Sequence, residues 1–142
     1  MINDIITGIS LKLNEHFGDG YRIYKNDVKQ GLKEPCFFIA VLAPSRTDQL
    51  GERWRMDMPF DVQYIPETEE NNAELYDAGD TLMDMLSNIT LLDDSSYRGR
   101  NIYCEIVDSV LHVFVTYTAW LKRVSDEIKM NELERDIGIR EE

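Results

Sequence analysis

Residues 53–64 read RWRMDMPFDVQY, with Trp54, Met56, Met58, Phe60, Val62 and Tyr64 at the even positions. Arg53, Arg55, Asp57, Pro59, Asp61 and Gln63 take the odd ones. A period of two over this length predicts a β-strand with one buried and one open face. Pro59 has no amide hydrogen to give a ladder, so it must stand at an edge, a bulge or an outward-facing position.

The neighbouring text extends this strand into a hairpin. CFFIAVLA (36–43) is apolar at every position. That predicts a central strand covered on both faces, or covered on one of them by another subunit. Pro44 to Glu52, with Gly51 near the tip, reads as the turn, so a long hairpin spans about residues 36–65. Such a hairpin is longer than a compact domain needs for its own core. The even face can bury against helices, while Arg53, Arg55 and the tip at Leu50 stay free to reach a neighbour.

The flanking segments switch to helical spacing. Ile2, Ile5, Ile6, Ile9, Leu13 and Phe17 form a stripe over residues 2–17, with Asn3 or Asp4 as a cap and Gly18 as a stop. YRIYK (21–25) reads as a short strand and QGLKEP (30–35) as a loop. Over residues 70–89, Leu75, Leu82, Leu86 and Ile89 share one helical face, opposite Glu70, Glu74, Asp77, Asp80 and Asp84. RNIYCEIVD (100–108) and VLHVFVTYTAWL (110–121) are two strands meeting at a very tight turn near Asp108–Ser109. The expected order is α-β-β-β-α-β-β: an α+β domain over residues 1–124 with helices on a mostly antiparallel sheet. Residues 125–142 are highly charged, with a thin apolar pattern at Ile128, Leu133 and Ile137. They read as a short helix on their own domain or as a docking arm.

Composition removes several function classes. The chain has 142 residues, 43% of them hydrophobic and 30% charged, which is a globular make-up of single-domain length. Its net charge of -12 argues against nucleic acid, whose binding needs clustered cations. No apolar run approaches the roughly 18 residues of a membrane span. The opening MINDIITGIS lacks the basic stretch of a signal peptide, so no membrane and a cytoplasmic chain are expected. Cys36 and Cys104 lie in apolar runs, as two reduced core thiols or, alternatively, a disulfide.

Little chemistry is written in the chain. His16 and His112 are isolated, and no C-x-x-C or H-x-x-x-H pair provides a metal site. No G-x-S-x-G, P-loop or G-x-G-x-x-G motif occurs, and FGDGY has the glycines of a turn. No catalytic residue, cofactor or metal is expected. Carboxylates on the polar face of an amphipathic helix are ordinarily just solvated.

Charge is distributed unevenly instead. Between Met56 and Tyr97 there is no lysine or arginine, while Glu67, Glu69, Glu70, Glu74, Asp77, Asp80, Asp84, Asp93 and Asp94 fall there. The hairpin holds Arg46, Arg53 and Arg55. One acidic flank and one basic arm suit head-to-tail contact between subunits. The expected interface comprises Arg46, Leu50, Arg53 and Arg55 on one copy and Glu70, Glu74, Asp77, Asp80 and Asp84 on the next. The competing expectation is that the arginines pair within their own chain or with nothing.

Several stretches resemble a family of small bacteriophage tail proteins, the tail terminators of phages and phage-tail-like particles of Gram-positive bacteria. They are LNEHFG, IYKNDVKQGLKEPCFFI, PFDVQYIPE and EIVDSVLHVFVTY, and the likeness runs over about residues 1–121. The resemblance implies an α+β subunit, without catalytic residues, that forms a ring, usually a hexamer, on the finished tail tube. Its partners would be itself, the tube protein, and the sheath and head–tail connector proteins. Its place would be the virion or tail-like particle, assembled in the host cytoplasm. Two other readings stay open: a connector or neck subunit of the same particle, and a small cytoplasmic enzyme or ligand-binding α+β module.

Overall fold

The computed structural model describes residues 1–18, 20–25, 35–67 and 72–123. The elements in chain order are α1 (Ile2–Phe17), β1 (Arg22–Lys25), β2 (Cys36–Val41), β3 (Ser45–Gln49) and β4 (Arg53–Ile65). They continue with α2 (Asn72–Leu86), β5 (Asn88–Thr90), β6 (Ser96–Val107) and β7 (Val110–Lys122). The α+β class and the expected order hold, with two short strands, β3 and β5, added to it. Residues 125–142 and most of the expected 30–35 loop lie outside the described residues.

The strands form one sheet in the order β1-β2-β4-β7-β6-β5, with β3 also on β4. All described pairings are antiparallel except β1 with β2. Alternation assigns each strand two faces. The even residues of β4 and odd residues of β7 join α1 and α2 in a single core built on Ile5, Ile9, Phe37, Phe60, Leu82 and Tyr117. The opposite surface is called the far face below. Burial of this core supplies the main folding drive, at about 25 cal/mol per Å² of apolar surface.

The 36–65 hairpin exists, and its shape differs from the expected one. Residues 45–49, assigned above to the turn, form β3 and pair with Arg53–Asp57. The turn shrinks to residues 50–52, with Gly51 and Glu52 at φ 73° and 59°. The polar run Ser-Arg-Thr-Asp-Gln has no hydrophobic alternation, because both of its faces are exposed. Only its pairing with β4 makes it a strand.

Pro59 finds its place at the joint between β2 and β3. Val41 pairs with Phe60 and Ser45 with Asp57, so residues 42–44 oppose only Met58 and Pro59. Three residues against two is a bulge. The Pro59 carbonyl accepts from Leu42 N–H at 2.9 Å. The proline nitrogen therefore faces the same side, where the ladder is already broken.

Strand β2 is buried on both faces: Cys36, Phe37, Phe38 and Ile39 are all at most 5% exposed within the single chain. No second subunit is needed to cover them. Gly18 ends α1 as expected, at φ 82°, its N–H donating to Asn14 O. Neither Asn3 nor Asp4 caps the start; the N-cap is Met1, without a side-chain bond. Helix α2 stops at Leu86, and Ile89, read above as helical, is the buried residue of β5. Asp108 and Ser109 form the tight turn with both φ values positive, 51° and 63°, the pattern of a two-residue type I′ hairpin.

Candidate assembly surface

The hairpin end, formed by β3, the first half of β4 and the last turns of β7, is an arm beyond the core. Trp54 is 8% exposed yet belongs to no part of the central cluster. Its indole lies between two guanidinium groups, Arg46 at 4.3 Å and Arg123 at 5.5 Å from the ring centroid. Cation–π contact and the apolar stems of both arginines cover a ring the helices do not reach. Arg123 N–H also donates to Glu52 O at 2.8 Å, tying the end of β7 to the turn at the arm's tip. Leu50, at the tip, is 93% exposed.

The structure separates the expected arginines. Arg46 pairs with Met56 in register, so it lies on the even face, where its Nε donates to Asp48 Oδ1 at 2.9 Å. Arg53 and Arg55 lie on the far face. Arg55 donates to Asp57 Oδ2 at 3.1 Å and stands 5.7 Å from the Trp120 ring, its cross-strand neighbour. Two of the three arginines thus have an acid of their own strand, in line with the competing expectation. Arg53 has no ion pair among the described residues.

Further cations join Arg53 and Arg55 on the far face. Lys122 pairs with Arg53, and Arg100 pairs with Thr116. Gly99 faces the core, so Arg98 and Arg100 on either side of it point away. Asp57 Oδ1 accepts from Thr118 Oγ1 at 2.7 Å, and Arg100 donates to the same hydroxyl at 3.1 Å. A polar chain therefore crosses β4, β7 and β6. Trp120, 48% exposed, sits among these groups. Arg98, Arg100, Lys122 and Trp120 escaped the sequence reading. The alternation Arg98-Gly99-Arg100 was legible, but the adjacency of β4, β7 and β6 was not.

The acidic residues are elsewhere. Glu74, Asp77, Asp80 and Asp84 are exposed on α2, which packs on the helix side of the sheet. Glu70 lies outside the described residues. The far-face cations and the α2 carboxylates are thus on opposite sides of one sheet.

Farther along the far face, polarity turns inward. Asp61 and Gln63 are 8% and 4% exposed. Asp61 accepts from His112 Nδ1 at 3.0 Å and from Gln63 Nε2 at 3.0 Å. Phe114 stacks on Tyr103 at 4.7 Å and lies 6.2 Å from the His112 ring. This is a satisfied buried polar knot under an aromatic cover. His16 sits at the end of α1 against Phe17. Among the described residues no group of three or more His, Cys, Asp or Glu side chains is placed to hold a metal ion. Cys36 and Cys104 occupy opposite faces of strands three places apart, so about 14 Å of sheet separates them. A disulfide tolerates Cα atoms only within about 7 Å. Burial and the nearby Asp80 push the Cys104 thiol above its ordinary range. Two hydrogen bonds from Ser95 hold the Asp93 carboxyl below its own in the 91–95 turn.

No described helix is long and apolar enough to cross a membrane. Among curated proteins none matches the chain. A family model, phage tail terminator protein, matches residues 4–129. The match starts at the third residue of α1, takes in the second helix, every strand and the arm, and ends inside the charged C-terminal segment. The chain belongs to the phage tail terminator family, a family of structural phage tail proteins.

Proposed function

We propose that this protein is the repeating subunit of a ring, a hexamer, that caps the finished tail tube and offers a surface to the head-side connector. It does so without catalysis, metal or cofactor. Its partners are other copies of itself, the tube protein, and the sheath and connector proteins, met in the host cytoplasm where the particle assembles. The observation that carries this reading is the arm. A paired hairpin with an exposed Leu50 at its tip extends past the core. In an isolated domain the ordering of such an extension costs conformational entropy that only the local burial of Trp54 and Leu121 offsets.

The test is to mix purified protein with assembled tail tubes and view them by negative stain. The expected result is a ring on one end of each tube and an arrest of tube growth. Bare tube ends at saturating protein would end the proposal.

A further inference from the structure

We infer that the far face of the arm receives helix α2 of a second copy, with Arg53, Arg55, Lys122, Arg98 and Arg100 around Trp120 as the receiving patch. This deepens the ring reading and rests on it. Within the patch, Asp57 is the one carboxylate among the described strand residues, and it is already engaged by Arg55 and Thr118. A surplus of cations therefore faces outward from a chain of net charge -12. Helix α2 presents Glu74, Asp77, Asp80 and Asp84 and contains no lysine or arginine.

The two surfaces lie on opposite sides of the same sheet, so one chain cannot bring them together. Two chains can, in a head-to-tail contact that leaves the patch open at one end of the pair and the helix open at the other. The dimensions agree. From Glu74 to Asp84 a helix rises about 15 Å. From the level of Arg53 to that of Arg100, opposite Thr116 and Pro59, the strands run about 20 Å. Each surface also carries one exposed aromatic ring, Trp120 at 48% and Tyr76 at 51%. An aromatic anchor ringed by charge is the usual make-up of a specific contact. Arg46 is left out of it, since it lies on the other face, held by Asp48 and Trp54.

The test uses the full chain with tail tubes, scored by rings at tube ends. Arg98→Glu with Arg100→Glu should abolish rings, and Arg53→Glu with Lys122→Glu, at the solvent-exposed tip, should do the same. Adding Asp77→Arg and Asp80→Arg to either pair should restore them, while Arg46→Glu alone should leave them intact. Trp54→Phe leaves Trp120 as the single tryptophan. Its fluorescence should be quenched freely by acrylamide in the monomer and protected in the ring. Rings that persist in both charge-reversed variants, or a Trp120 equally quenched in ring and monomer, would overturn the inference and leave the ring standing. Absence of rings with the unaltered protein would overturn both.

Discussion

The Tyr117 phenol donates a 2.6 Å hydrogen bond to the carbonyl of Leu86, the last residue of α2. One fully buried side chain in the middle of the sheet thereby satisfies a helix-end acceptor that has no partner inside the helix. Removing the hydroxyl leaves that carbonyl buried and unpaired. Tyr117→Phe should cost about 1–3 kcal/mol, read by chemical denaturation. Burial also raises the Tyr117 pKa well above the ordinary phenol value. For a group whose folded pKa is raised, stability is complete below the unfolded value and falls as pH rises past it. Unfolding free energy should therefore decline above about pH 10, where the unfolded chain starts to lose the proton. Tyr117→Phe should flatten part of that decline. An unchanged alkaline profile in the variant would refute the assignment.

Gly99 is the cross-strand partner of Tyr117. A Cβ there would lie 2.6 Å from Leu86 O and 2.7 Å from Val115 Cγ2. Neither can yield cheaply, one being backbone and the other core. Gly99→Ala should push the end of α2 off the sheet and destabilise by about 1–3 kcal/mol, as overpacking does. A melting temperature equal to that of the parent would show that the contact relaxes freely.

Asp61 and His112 should behave as a unit. His112→Phe removes one of the donors to a carboxylate that is 8% exposed, and should cost about 1–3 kcal/mol. Pairing it with Asp61→Leu removes the stranded acceptor too, so the double variant should be more stable than His112→Phe alone. Strict additivity in the double-mutant cycle would contradict this picture.

The turn at Asp108–Ser109 holds both residues at positive φ, which L side chains resist. Replacing the pair by Asn-Gly should stabilise the protein by about 1 kcal/mol. A loss of stability would mean that one of these side chains is needed where it stands.

Both thiols should resist alkylation in the native protein, Cys36 by complete burial and Cys104 by its raised pKa. Iodoacetamide at pH 8, followed by mass spectrometry, should label Cys36 only after unfolding and Cys104 in the native protein more slowly than in the unfolded chain. Asp80→Asn, which removes one cause of the Cys104 shift, should quicken that site alone. Native labelling of either cysteine at the rate of a free peptide thiol would show an opening that the packing does not allow for.

Much of this was already legible in the chain. The even positions of 53–64 and the stripe at 2–17 each follow a local period, and the unbroken apolar run at 36–41 marks a strand buried on both faces. Burial on one face enforces that period, so these elements could be read before any contact was known. The Asp108–Ser109 turn was likewise marked by the strands on either side of it. Other features depended on partners distant in sequence. Residues 45–49 carry no period because neither of their faces is buried, and they became a strand only through the β4 edge. Ile89 continued a helical pattern until Gly99, ten positions later, drew the chain into the sheet through its hydrogen bond to Ser87 O. The arginines of 98 and 100 read as scattered surface charge. Strand order, set by the whole sheet, placed them on one face with Arg55, across β7 from it, and moved Arg46 to the other side. Local spacing determined which residues turn inward, because burial acts on each segment's own periodicity. The tertiary structure decided which charges share a surface, because that depends on which strands pair.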